Sequence, residues 1–505
     1  MRNILVTLVV AGAVACASAP SEPDSQAVVG AAAVKPHPAS EWRELRSPHF
    51  TLTTDFGPKE AREVLEHLET IRSALLVAGW GGPKLEGDHL SVIDLVQHGE
   101  FAEFSDENLG GFTSVTGEGT VIVMSGRKLE QQTLFAHELT HALAARLIPR
   151  KPLWLNEGLA CFLSTVKLRE DDTKVQMGEV SIDYVKALHH SGRMPMAKLL
   201  AMKPSDYDPD APDLSKFYAT VWLLTHYLAN THGVAFRKYQ SLLAHDVPFD
   251  AAWYEAFPEL TPDKLDQELT LYLQYGEYHV LEAPFTPPPL QILQETELTE
   301  AQAHAVRANL FLIGMSRRTR AEKIAKAQAE LGPAEAAAPD DPRVVEVEAA
   351  WLPKDEVLAL ARHSTQAHPD SARAWRTLAD AILNDPSTQA KSELLDALAR
   401  AAKLEPNDPH LLNDFAWELL TNGRASEALA PAEHAVQLLP DPFILDTLAN
   451  VTMALGHCAE ALALEERAVL TMPPEQARRR ADLQRNQSRM QQACAGRPPE
   501  LPKQP

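Results

Sequence analysis

Near its carboxyl end the sequence repeats itself with a period of 33 residues. Ala416, Ala428, Ala435 and Pro440 recur as Ala449, Ala461, Ala468 and Pro473, and Gly423 recurs as Gly456. A constant shift within a segment of helical pattern marks an internal repeat, with Gly423 and Gly456 at the intervening turns. Such a unit cannot bury its apolar face alone, so neighbours must stack into an all-α solenoid. Pro406 lies 34 residues before Pro440 and closes an earlier unit containing Trp375, Leu378 and Ala379; Pro369 marks a further, degenerate one. The array is assigned to residues 291–474, clearest over 371–474. A polar capping helix over 475–494 and a disordered tail over 495–505 follow. The Ala-rich run Ala334–Ala338 reads equally as loop or helix.

The pattern resembles tetratricopeptide repeats, and the resemblance implies a scaffold that binds a protein partner on its helices and has no chemistry of its own. The reactive side chains are concentrated elsewhere, in FAHELTHALAARLIPRKPLWLNEGLACF, Phe135–Phe162. His137 and His141 are four apart in a segment with helical periodicity, so both imidazoles share a face and one tetrahedral metal can accept both. Glu138 between them can stand beside the metal as a general base. This spacing also arises in ordinary helices, as surface or core histidines; the apolar flanks Leu134, Phe135, Leu139 and Leu143 and the downstream W-L-N-E-G-L-A argue for the metal.

Zinc on two neutral imidazoles and a carboxylate activates water and keeps its fourth position open, so a third protein ligand is required. Glu157 fits, with fifteen residues between it and His141, enough for a turn at Pro149 and Pro152 and a second helix. Asn156 is the expected N-cap of that helix. Gly158 and Ala160 are small enough for it to pack on the first.

HELTHAL followed by PLWLNEGLA resembles the gluzincin-type zinc metallopeptidases, specifically the bacterial peptidase MA-like group, over roughly Trp42–Glu282. The resemblance implies an α+β domain at 41–282, a mixed sheet plus active-site helices, with one Zn2+ per chain on His137, His141 and Glu157. It implies hydrolysis of peptide bonds in a peptide or protein substrate by a zinc-activated water, with Glu138 as base. It places extended substrate beside the strand at 119–125, for which a plain sheet strand is the alternative. It also gives Tyr218, at the start of the apolar helix Phe217–Leu228, a hydrogen bond to the oxyanion; a packing role is the alternative. His226 and Tyr227 read as ordinary helix residues. The chain lacks a G-A-M-E-N-like stretch for holding a free amino terminus, which favours endopeptidase action.

Ahead of the motif, His49–Thr54 and Leu90–Val96 read as strands and Lys59–Val77 as a helix. Prolines at 283–290 mark a stiff linker. A net charge of −22 and a pI near 5.3 argue against nucleic acid as a partner. Residues 1–15 have a short charged start and an apolar run, Ile4–Val14, too short to span a bilayer, and read as an export signal. Ala13-Val14-Ala15-Cys16 resembles a bacterial lipobox with Ala13 in place of Leu, implying a lipid anchor to the membrane at Cys16; cleavage after Ala15 is the alternative. Residues 16–40 form a flexible tether. The chain then belongs in the bacterial envelope, facing the periplasm, or is secreted. With Cys16 lipidated, Cys161 reads as a core residue and Cys458–Cys494 as a bridge clamping the last helix. The whole reads as an exported zinc metallopeptidase with a protein-binding repeat module. The alternative is a non-catalytic scaffold or envelope assembly factor with a degenerate peptidase domain.

Overall fold

The computed structural model describes residues 42–495 except 83–84, 86–88, 97, 106–110, 117–118, 126–128, 170–172, 204–205, 207–212, 246, 386–390 and 473–476. The export signal, Cys16, the tether and the tail beyond 495 lie outside the described residues. Strands β1 (Arg43–Arg46), β2 (Phe50–Thr54), β3 (Leu90–Leu95), β4 (Gly111–Thr116) and β5 (Gly119–Ser125) alternate with helices α1 (Pro58–Trp80) and α2 (His98–Phe104). The motif helices α3 (Leu129–Leu147) and α4 (Leu153–Leu163) follow, then β6 (Lys167–Leu168) and β7 (Lys174–Met177). A helical block comes next: α5 (Ile182–Ser191), α6 (Met196–Ala201), α7 (Leu214–Thr231), α8 (Gly233–Ala244), α9 (Phe249–Ala256) and α10 (Pro262–Tyr275). Strands β8 (Leu281–Pro284) and β9 (Gln294–Glu297) lead into the array.

The main sheet runs β4-β5-β3-β2-β1-β9, parallel where β3 meets β2 and β5 and antiparallel elsewhere. Its central strands are apolar on both faces because both are covered. Val92, Ile122 and Met124 point to one side, into a core with Leu65, Leu68, Phe135 and Leu139 of α1 and α3. Their neighbours Ile93, Leu95, Val121 and Val123, with Phe112, point to the other, where α11 (Glu300–Ile313) and α12 (Arg320–Ala337) supply Leu310, Phe311 and Leu331. The first helix pair after the prolines is therefore the second layer of the sheet. Charge ties the layer on as well: Arg307 of α11 meets Glu100 of α2, and Arg343, in the helix that follows the pair, meets Glu44 of β1.

Two expectations are corrected here. Residues 119–125 form β5, which is covered by the antiparallel strand β4, so the free edge nearest the motif is β4. The proline-rich stretch is pinned at both ends: β8 pairs with β7, Phe285 is buried, and β9 extends the main sheet with Glu295 opposite Leu45.

The rest of the chain stacks as helix pairs: α13 (Pro342–Glu348) with α14 (Lys354–Ala367), α15 (Ala372–Asn384) with α16 (Lys391–Leu404), α17 (Pro409–Thr421) with α18 (Ala425–Leu438), and α19 (Pro442–Ala454) with α20 (Cys458–Thr471). Helix α21 (Ala477–Cys494) packs on α20. All six repeating alanines, 416, 428, 435, 449, 461 and 468, are 0 % exposed, which explains the need for a small side chain at each. Gly423 and Gly456 turn the chain with φ of 76° and 94°, a region that disfavours a Cβ. Ala334–Ala337 belong to α12. Cys458 and Cys494 form a disulfide joining the first residue of α20 to the last of α21, and Cys161 is buried and free. Among the described residues no helix is long and apolar enough to cross a membrane.

Candidate metal centre

Helix α3 carries His137 and His141 one turn apart, and α4 brings Glu157 up to them. The two Nε2 atoms are 3.1 Å apart, and Glu157 Oε2 lies 3.8 Å from His137 Nε2 and 3.6 Å from His141 Nε2. Ligands ~2.0–2.1 Å from a tetrahedral zinc stand about 3.3 Å from one another, so the triangle has the right size. Glu157 Oε2 is buried without a hydrogen-bond partner, an expense a carboxylate bears when it faces a cation. Among the described residues this is the one group of His, Cys, Asp or Glu that converges in this way. The residues present fit a zinc ion.

Burial holds His141 below the ordinary imidazole range against the pull of the Glu157 and Glu138 carboxylates, which leaves the ring neutral with a lone pair to give. Burial alone would raise the Glu157 carboxyl; His141, His137 and a hydrogen bond from Asn156 outweigh it and hold the group below its usual range. Asn156 does not cap α4. The helix starts at Leu153 after Pro152, and the Asn156 amide donates to Glu157 Oε1 at 2.9 Å. Nor does Gly158 pack α4 on α3: a Cβ there would collide with Thr225 Oγ1 of α7 and lie 3.0 Å from the Val221 carbonyl of the same helix.

Glu138 is buried, and its Oε2 accepts a hydrogen bond from the Thr113 hydroxyl of edge strand β4 at 2.7 Å. Its Oε1 is buried without a hydrogen-bond partner, free to take a proton. Phe112 faces the α11 layer, so alternation turns Thr113 towards α3. Tyr218 stands in the second turn of α7, which begins at Leu214, and is buried in one cluster with Trp154, Leu155 and Leu159 of α4. His226 is a fully buried tie: its ring nitrogens meet the Tyr272 hydroxyl at 2.8 Å and the Gly178 carbonyl at 2.9 Å.

Between the two motif helices the chain turns through Pro149-Arg150-Lys151-Pro152. Burial pulls the Lys151 ammonium down to about 8 while the Glu157 carboxylate pushes it back up. Thr113, Asn156 and Lys151 have no place in the spacing rule that finds the triad. Only Asn156 and Lys151, adjacent to motif residues, are within its reach.

A family described as "Protein of unknown function (DUF1570)" matches residues 132–250, which span the triad, Glu138 and Tyr218. No curated protein matches the chain. Among solved structures it is similar to a thermophilic TPR protein of Thermus thermophilus, at 18% identity, TM-score 0.27, over 34% of this chain and 91% of that one. It is also similar to the APC/C hetero-tetramer Cut9-Hcn1, at 14% identity, TM-score 0.17, over 73% of this chain and 80% of that one. With TM-scores this low, the account of the array rests on its own helix pairs.

Proposed function

We propose that the protein is an exported zinc metallopeptidase of gluzincin type, an endopeptidase whose helical array, resembling tetratricopeptide repeats, binds substrate or a partner protein. The observation that carries this reading is the division of labour at the motif. Three side chains converge on one point, while Glu138 is held apart from them by Thr113 with one oxygen free. A purely structural zinc site has no use for that fourth group.

One Zn2+ held by His137, His141 and Glu157 would supply the charge that polarises a carbonyl and acidifies water. Glu138 then takes the proton of the attacking water and passes it to the leaving amine. Thr113 fixes the carboxylate in the pose for both transfers. Tyr218 donates a hydrogen bond to the oxygen on which negative charge develops. Extended peptide lies along the outer edge of β4, the strand whose Thr113 hydroxyl reaches Glu138. An export signal over 1–15, followed by a lipid anchor at Cys16 or by cleavage after Ala15, would set this chemistry in the envelope or outside the cell.

Metal analysis of the purified chain gives about one zinc per chain, and Glu157→Ala loses it. Glu138→Gln keeps the metal and abolishes cleavage of a peptide library; unchanged cleavage rejects the mechanism. A second reading, a non-catalytic scaffold or envelope assembly factor, has one observation on its side: the array supplies a core layer of the sheet and so is integral to the fold. Failure of the wild type to cut any member of the library favours it.

A further inference from the structure

Adjacent side chains on a helix point about 100° apart and do not ordinarily face each other. Asn156 and Glu157, the fourth and fifth residues of α4, depart from this: the Asn156 amide donates to Glu157 Oε1 at 2.9 Å. The contact divides the carboxylate. Oε1 is taken by the amide, while Oε2 lies 3.8 Å from His137 Nε2 and 3.6 Å from His141 Nε2 and is buried without a hydrogen-bond partner. The Glu157 side chain is 1 % exposed, so bulk water does not compete for Oε1.

The backbone under this side chain is held as well. Helix α7 leaves no space for a Cβ at Gly158, so α4 has no freedom to roll against it. Only the side-chain torsions of Glu157 then remain to be set, and Asn156 is the donor that sets them. Their setting matters because a carboxylate can hold zinc in two ways. Through one oxygen it completes three protein ligands and leaves the ion room to expand from four neighbours to five; through both it fills the extra position itself.

We propose that Asn156 is a positioning residue: by occupying Oε1 it makes Glu157 a one-oxygen ligand and keeps a place open for substrate beside the water. The inference rests on the zinc reading of the triad and concerns how the third ligand is presented to the ion. Support for the carboxylate charge alone would be served at either oxygen. The bond goes to the one that does not face the imidazoles.

The test loads the full chain with Co2+, whose visible absorption is strong in a four-coordinate site and weakens as neighbours are added, and measures Zn2+ affinity against a competing chelator. The wild type is expected to show the strong bands. In Asn156→Leu, close in size and without a donor, Oε1 turns to the ion and the bands lose about half their intensity or more at unchanged metal content. Asn156→Ala moves the same way and less far, because water can enter and take over the bond to Oε1. Unchanged bands in both variants overturn the proposal, whether affinity stays as it was or falls by the roughly 10–100-fold expected of a residue that merely supports a ligand. Loss of the metal from both variants also overturns it. A wild-type chain that takes up neither ion overturns the metal reading beneath it, so the two failures are distinct.

Discussion

At the scale of single residues, the site depends on hydrogen bonds to carboxylates as much as on the metal-binding atoms. Thr113 holds Glu138 Oε2 at 2.7 Å, and a hydrogen bond to a charged group is worth ~1.5–3 kcal/mol. Thr113→Val is expected to lower kcat about tenfold or more while KM and zinc content stay as in the wild type, because only the pose of the base changes. Thr113→Ser restores the rate. Steady-state kinetics with zinc analysis checks this; an equal loss in Thr113→Ser assigns the effect to strand packing instead. His137, Glu138, His141 and Glu157 are legible in the sequence because helical periodicity and a helix-turn-helix distance are local facts. Thr113 is not. Its partner is 25 residues away on another element, and nothing in G-F-T-S-V-T says that Phe112 and not Thr113 faces the helical layer.

At the scale of elements, α4 is held in place by its contact with α7. With the Gly158 Cβ position inside the contact distance of Thr225 Oγ1, Gly158→Ala forces the helices apart. Urea unfolding is expected to show a loss of about 1–3 kcal/mol. Because Glu157 is the adjacent residue, the proposed zinc binding is expected to weaken in the same variant. The small residues at 158 and 160 mark a contact point in the sequence, but not which helix they touch. The edge strand is misplaced by sequence for a related reason: strand order within a sheet is set by long-range pairing, and β5 reads as an edge only until the β4–β5 hairpin is seen to fold β4 outside it. At the far end of the array, Glu465 of α20 is fully buried beside Asp446, with Asn486 and Arg489 of α21 nearby. Burial, and then the Asp446 carboxylate, push the Glu465 carboxyl up to about 8. The group binds its proton more tightly folded than unfolded, so its contribution is present at low pH and is lost as pH rises from the ordinary carboxylate range through about 8. The melting temperature of the wild type is expected to fall as pH rises through that window, and Glu465→Gln to flatten the slope.

For the whole molecule, the sequence shows two halves where the structure has a shared core. The proline run suggests a seam, yet β9 and α11 lie beyond it and complete the sheet. The pattern of Val92, Ile93, Val121, Ile122 and Val123 already requires two covered faces, but not which helices cover them. A chain ending at 290 loses β9, α11 and α12, and is expected to aggregate with Trp42, Phe104 and Phe112 uncovered. One ending at 352 keeps that core and is expected to stay soluble. Size-exclusion chromatography decides, and a soluble monomer ending at 290 contradicts the shared core. Covalent assembly of the whole molecule also has an order built into it. Three cysteines lie among the described residues, which allows three pairings. The cluster that buries Cys161 is made of residues 148–272, all synthesised well before Cys458. Once that cluster closes, Cys161 is withdrawn from thiol exchange, and among the cysteines of the described residues Cys458 and Cys494 have only each other to oxidise with. A destabilised α4, which would uncover Cys161, is therefore expected to raise the share of mispaired disulfides, read by mapping the bridges after refolding.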